Sequence, residues 1–282
     1  MSFRSYITFS SDNRRQLLLL IGGHLLWSCA VLGLWAGGSL LAAPGTWQSG
    51  VFVALQLFVA AQLLLPVLML RPAERTRRFY LFWGVVLASG IWLLNQFPVG
   101  DWQPLLAVIK SGLLLLAATL VGAVLAGYVR RLWEIVPVCL AMTLADFASW
   151  SFGPTAEFTR QIQQYYLDPQ GPPPLIDMVL VKLAFPGAVD LAPVFGFSDW
   201  IMVVFFVIVA RRFRINDNLL GTSGVTLARQ GRAGFYLPVS VVALFAATML
   251  AQLTGLFIPA LPVIALIMLL WHAVRLLRLR YA

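Results

Sequence analysis

Charge is scarce in this chain: 11% of its 282 residues are Asp, Glu, Lys or Arg, against about 25% in a soluble domain. Water could not solvate the remainder, and a mean hydropathy of +0.86 assigns that task to a lipid bilayer. Histidine and cysteine are scarcer still, with 2 of each. Cys29 and Cys139 both fall in apolar segments, where they read as small hydrophobes. No Cys/His cluster has the spacing of a metal site, so neither a metal nor another cofactor is expected. Acidic residues number 11 against 20 Lys and Arg. That excess does not point to nucleic acid, because its distribution follows a different rule.

Long apolar runs fill the chain. They lie at about Leu17–Leu41, Gly50–Leu70, Phe79–Phe97, Pro104–Gly127, Leu132–Phe152, Ala192–Ala210, Gly234–Leu253 and Pro259–Leu276. Each is near the roughly 20 residues that a spanning helix needs. The basic residues fall on alternate connections. The N-terminus has Arg4, Arg14 and Arg15; the second connection has Arg71, Arg75, Arg77 and Arg78. The fourth has Arg130 and Arg131, the sixth Arg211, Arg212, Arg214, Arg229 and Arg232, and the C-terminus Arg275, Arg278 and Arg280. Only Lys110, Arg160 and Lys182 lie elsewhere. This alternation predicts cytoplasmic termini and about eight spans. The first segment is longer than the 7–15-residue core of a signal peptide, so it is expected to remain as a span. The fold class is thus an all-α polytopic membrane protein. Residues 1–131 form an N-terminal four-helix region and residues 132–282 a second membrane region.

Short first, third and seventh connections predict tight helical hairpins. Trp47, Trp102 and Trp133 stand at segment ends as interfacial anchors. Lys110, a turn or two inside the fourth segment, is expected to snorkel outward, and Glu134 to be solvated at an interface. The fifth connection has a polar half, Glu157 to Asp168, then Gly171-Pro-Pro-Pro174 as a rigid stop. The apolar run Met178 to Pro186 follows. It is too short for a spanning helix, and it reads as a possible short strand or re-entrant piece lining a site. The sixth connection, Arg211 to Ala233, reads as a solvated basic loop near anionic lipid. Its Gly221-Thr-Ser-Gly224 matches a serine-protease motif by letter only, since neither His24 nor His272 has an evident route to it.

Two acids remain, Asp146 in the fifth segment and Asp199 at the edge of the sixth. Ionisable groups at membrane depth are costly and mark function by default. The chain reverses between them, which places both carboxylates at similar depth, nearer the outer face. Pro259 opens the eighth segment from that same face. Two carboxylates at close range share one proton. The ionised member can then act as general base on a water, and the protonated one can polarise a peptide carbonyl. Against this, Asp199 could be a helix-capping acid, and Asp146 could bond to Thr143 or Ser149.

These residues resemble a family. Asp146, the opening Gly196-Phe-Ser-Asp199, and Pro259-Ala-Leu-Pro262 are similar in order and spacing to the motifs of the GxGD-type intramembrane aspartyl proteases, which include presenilin and signal peptide peptidase. Lys182-Leu-Ala-Phe-Pro186 and Arg212-Phe213 resemble the signal peptide peptidase branch. The similarity spans roughly Leu132 to Leu276, about half the chain. It implies a presenilin-like helix bundle and a divergent, bacterial-type member in a bacterial or archaeal cell membrane. It also implies a catalytic pair, Asp146 and Asp199, and a transmembrane peptide as substrate. Gly196, Ser198, Pro259, Ala260 and Leu261 would support that substrate. By the same resemblance the run near Val179–Phe185, with Val181 and Lys182, would add a strand to it. Ser198 departs from the family's glycine and Ala145 from its usual tyrosine. Eight spans stand against nine. Two alternatives follow: an inactive relative that binds helices, and a transporter using the aspartates for protons or cations.

Overall fold

The computed structural model describes residues 11–281 except 39, 41–44, 71–75, 97–101, 154–156, 158–159, 163, 166–173, 225, 228–234 and 255–257. Arg4, Arg71, Arg75, Asp168, Gly171 to Pro173, Arg229 and Arg232 therefore lie outside the described residues. Six helices come first: α1 (Ser11–Gly38), α2 (Thr46–Gln62), α3 (Leu64–Leu70), α4 (Arg77–Leu94), α5 (Gln103–Tyr128) and α6 (Ile135–Phe152). Two strands follow, β1 (Leu180–Leu183) and β2 (Ala192–Gly196), then α7 (Phe197–Arg212), α8 (Val239–Thr254) and α9 (Ala260–Tyr281).

Five runs are long and apolar enough to cross a membrane: Leu18–Gly38, Trp47–Leu68, Arg77–Leu94, Gln103–Tyr128 and Leu132–Phe152. The second of these joins α2 to α3 through a turn at Leu63. Pro66 explains the break. It offers no N–H to the Gln62 carbonyl, and its ring crowds that oxygen. Two shorter apolar helices, Val239–Thr254 and Ala260–Arg275, lie near the C-terminus.

The sixth apolar segment corrects the sequence reading. Its first residues, Ala192–Gly196, form a strand, and the helix that follows has only 16 residues. Pro193 cannot donate a helical hydrogen bond, and Gly196 is extended (φ −82°, ψ 161°) where the helix starts. Apolarity along this stretch was continuous, so hydropathy alone could not divide it. The run Met178 to Pro186 does contain a strand. β1 pairs antiparallel with β2, with Leu180 opposite Gly196 and an irregularity between Val181 and Lys182.

α7 occupies the centre. Trp200 and every residue from Met202 to Ala210 are buried. α5 packs along it through a face of small residues in which Ala118, Gly122, Ala123 and Ala126 are buried. At Gly122 a Cβ would stand 2.6 Å from the Ile201 carbonyl oxygen, so only glycine permits this approach. Small residues at helix crossings are the usual means of close packing in lipid. The outer wall is the reverse: Leu81 on α4 is 69% exposed and Leu144 on α6 is 64% exposed. A wall of that kind suits hydrocarbon better than water.

The short connections give the expected hairpins, with α1 on α2, α4 on α5 and α8 on α9. The two aspartate helices do not pair this way: α6 packs on α9. The long connection between α6 and α7 leaves both free to choose other neighbours.

The sixth connection is also less solvated than expected. Asp217 and Asn218 are buried. Asn218 accepts the backbone N–H groups of Leu220 and Leu237 and donates to the Thr222 carbonyl. The Tyr236 hydroxyl donates to Asp217 Oδ2 at 2.5 Å. Burial pushes the Asp217 carboxyl up to about 7, against the opposing hydrogen bonds from Tyr236 and its own amide. The folded protein thus holds this proton more tightly than the unfolded chain, whose carboxyl titrates near 3.8. The contribution to stability is full below about pH 4 and is lost as pH rises through about 7. We predict that Asp217→Asn narrows the fall in melting temperature between about pH 5 and pH 8. Parallel thermal melts of both proteins check this.

Candidate functional site

α6 carries Asp146 into its last turns, where it is half-buried and flanked by exposed Leu144, Ala145 and Phe147. Its partner comes from α9. The first N–H groups of a helix have no acceptor inside it, and prolines are tolerated in that turn because they lack an N–H. Here Pro259 precedes the helix and Pro262 lies in its first turn, with Ala260 and Leu261 between. The Leu261 backbone N–H lies close to the Asp146 carboxyl. The proline motif thus places a helix N-terminus against this acid.

Asp199 is the third residue of α7. Its Oδ2 accepts the Gly196 N–H at 2.8 Å, closing the helix start on itself. Asp199 therefore does serve as a capping acid. It also lies within reach of the charge on Asp146. Gly196 has ordinary extended backbone angles, and exposed Ser198 sits in helical backbone. Neither position requires glycine, so Ser198 imposes no strain. Asp146, Asp199, Gly196, Ser198 and the Pro259–Leu261 turn thus gather at the end of the bundle that bears β1 and β2.

The strand residues are placed differently. Val181 is fully buried and Lys182 nearly so. The Lys182 N–H donates to Ser111 Oγ at 3.0 Å, and the Ala184 N–H donates to Gln56 Oε1 at 2.8 Å. Gln56 Nε2 returns a bond to the Ala184 carbonyl. The edge of β1 away from β2 is thereby taken up by α5 and α2. Among the described residues nothing bonds to the outer edge of β2.

A buried charge cluster lies beside the strands, and sequence reasoning missed its centre, Asp177. Its carboxylate is 2.7 Å from Lys182 Nζ and 3.5 Å from Lys110 Nζ. Lys110 also donates to the Asp177 carbonyl at 3.3 Å and to Asn95 Oδ1 at 3.4 Å. Lys110 does not snorkel: it is 8% exposed and turned inward to this acid. The available signal was two stray lysines and one acid at the same end of the chain's topology, since charges at membrane depth pair with one another.

No group of three or more His, Cys, Asp and Glu suited to a metal occurs among the described residues. Ser223 Oγ is paired with Thr226 Oγ1 at 2.8 Å. His24 and His272 bond to carbonyls of their own helices, so neither activates that serine. Comparison with family models, curated proteins and solved structures finds no match to this chain.

Asp177→Asn leaves two buried ammonium groups against a neutral amide. Breaking a buried ion pair from one side typically costs about 3–5 kcal/mol. We expect a clear fall in melting temperature for this variant. Asp146→Asn, which keeps the size and shape of this half-buried side chain, should melt close to the wild type.

Proposed function

We propose that this chain is an intramembrane aspartyl protease of the presenilin and signal peptide peptidase kind, with Asp146 and Asp199 as its catalytic pair. The observation that carries the reading is the approach of the start of α9 at Leu261 to Asp146, with Asp199 within charge range. Three motifs distant in sequence then meet at one end of the bundle. On this reading the five long helices are joined by α7, α8 and α9 to make eight spans in a presenilin-like bundle. The arginine alternation supports cytoplasmic termini, with β1 and β2 toward the outer face.

The chemistry needs one proton shared by two carboxylates. The ionised member takes a proton from water as its oxygen attacks the peptide carbonyl carbon. The protonated member donates to the carbonyl oxygen, giving a tetrahedral diol. Collapse then breaks the C–N bond. The proton first taken from water passes to the leaving amine, and the diol proton returns to the second carboxylate. Exposed neighbours of Asp146 on α6 support access from the bilayer. A helical peptide bond is shielded, so the substrate must unwind. An unwound segment would add to the open edge of β2, which runs directly into Gly196 and Asp199. This moves strand addition from the β1 run expected on sequence to its partner.

One observation favours a second reading. The Gly196 bond satisfies Asp199 structurally, as in an inactive relative that only binds helices. Asparagine separates the two, because its amide oxygen can keep that cap while losing the acid. Cleavage of a transmembrane reporter peptide in proteoliposomes is the test. Asp146→Asn and Asp199→Asn should each lower turnover at least 10³-fold while melting near wild type, and the wild-type rate should show a bell-shaped pH profile. Equal cleavage by wild type and both variants would reject the proteolytic reading.

Leu261→Pro removes the N–H that lies beside Asp146, in a helix turn where proline is tolerated. We expect it to lower kcat with little change in KM for the same peptide. Unchanged kcat would deny that N–H a part in positioning Asp146.

A further inference from the structure

Core packing does not by itself place Asp199. α7 is enclosed from Trp200 onward, but Phe197 and Asp199 in its first turn are only half-buried and Ser198 is exposed. That turn takes its position from the strand that runs into it. Gly196 ends β2, and its N–H holds Asp199 Oδ2 at 2.8 Å. Phe195, the residue before, stacks on Trp200 with ring centroids 6.1 Å apart. In the ladder Leu180 lies opposite Gly196 and Val181 opposite Phe195. The place of the acid is therefore referred back to β1.

β1 cannot keep that place alone. A two-stranded hairpin is marginal in isolation. Here four residues of β1 face five of β2, with an irregularity between Val181 and Lys182. A slip of one residue would turn every side chain of the strand to its other face. The strand is fastened from outside, at two successive residues of α5. Lys110 Nζ donates to the Asp177 carbonyl at 3.3 Å and to its carboxylate at 3.5 Å, in the turn that opens into β1. Ser111 Oγ accepts the Lys182 N–H at 3.0 Å, at the irregularity itself. Lys182 Nζ, 2.7 Å from the Asp177 carboxylate, ties the strand to that turn. The same α5 meets the α7 backbone at Gly122. One helix thus holds both the hairpin and α7, and Asp199 lies where the two join.

We propose that Lys110 and Ser111 are positioning residues for Asp199. They hold β1, and through the pairing of Leu180 with Gly196 they keep the carboxyl within range of Asp146. The placement rests on geometry alone. Its catalytic consequence rests on the proteolytic reading, since two acids share a proton only while they stay close.

Lys110→Gln and Ser111→Ala in the full chain, held in lipid nanodiscs, test this in two measurements. Lys110→Gln leaves Asp177 its close contact with Lys182, and Ser111→Ala removes a single oxygen, so both should fold. Amide hydrogen exchange over residues 192–199 should quicken about tenfold in each, with residues 202–210 unchanged. The pH profile for cleavage of the reporter peptide should narrow by about one unit, because separated acids no longer push apart the two limbs of the bell. If Lys110→Gln does not fold, Ser111→Ala decides. If the wild type cuts nothing, the proteolytic reading fails while exchange still decides the placement. Exchange over 192–199 at the wild-type rate overturns the proposal. So does a lower rate under a bell of unchanged width, which marks a general loss of structure.

Discussion

Backbone polar groups at membrane depth have no water to bond to, and that constraint governs the polar residues of this molecule. A two-stranded hairpin between spanning helices exposes more such groups than a helix does. Gln56 and Ser111 take up the edge of β1, one from α2 and one from α5. Gln62 does the same for Tyr236, accepting its N–H and donating to its carbonyl. The Trp35 indole donates to the Val189 carbonyl, and the Gly187 N–H reaches the Gly38 carbonyl. The few polar side chains are thus spent on backbone that the helical pattern leaves unsatisfied.

The two aspartates obey the same constraint. Asp199 closes the start of α7 through Gly196, and Asp146 lies beside the first turn of α9. A helix that begins inside a bundle has free donors at its first turn, and a carboxylate is a good acceptor for them. Capping is therefore compatible with the catalytic role proposed for these residues. The two helix starts also hold two carboxylates within range of each other's charge. What distinguishes them from ordinary caps is their convergence, since one cap does not bring a second acid within range of its charge.

Much of this was legible in the sequence for a physical reason. Helices in lipid must be apolar and about 20 residues long, so the long spans announce themselves by composition. The acids stand out because so few charges occur in those spans. What hydropathy could not show was where a continuous apolar stretch changes backbone form. Ala192–Gly196 and α7 read as one segment because a buried strand and a buried helix are equally apolar. Pro193 and Gly196 were the punctuation that marked the change. Asp177 was passed over because it lies in a connection, outside any span. Its importance comes from Lys110 and Lys182, whose partner no local pattern identifies. The failure of α6 and α7 to pack together has a similar origin. Sequence order predicts neighbours when a connection is short, and the one between these helices is long enough to permit another choice.

That choice shapes what the site can do. α7 is locked in the centre, buried from Trp200 to Ala210 apart from partly covered Ile201, with Gly122 of α5 against its backbone. α6 is nearly the opposite, burying only Ile135 and Cys139 and packing on α9. One acid is therefore carried by the most rigidly enclosed helix and the other by one of the most exposed. Movement of α6 with respect to α7 would change the separation of the carboxylates. The start of α9 stands beside Asp146 at that level, and α9 packs on both α6 and α7. A protease of the proposed kind would admit a peptide from lipid and then bring two acids together, which calls for one fixed wall and one yielding wall. This bundle has one enclosed wall in α7 and one exposed wall in α6, with the proline turn at the start of α9 beside Asp146.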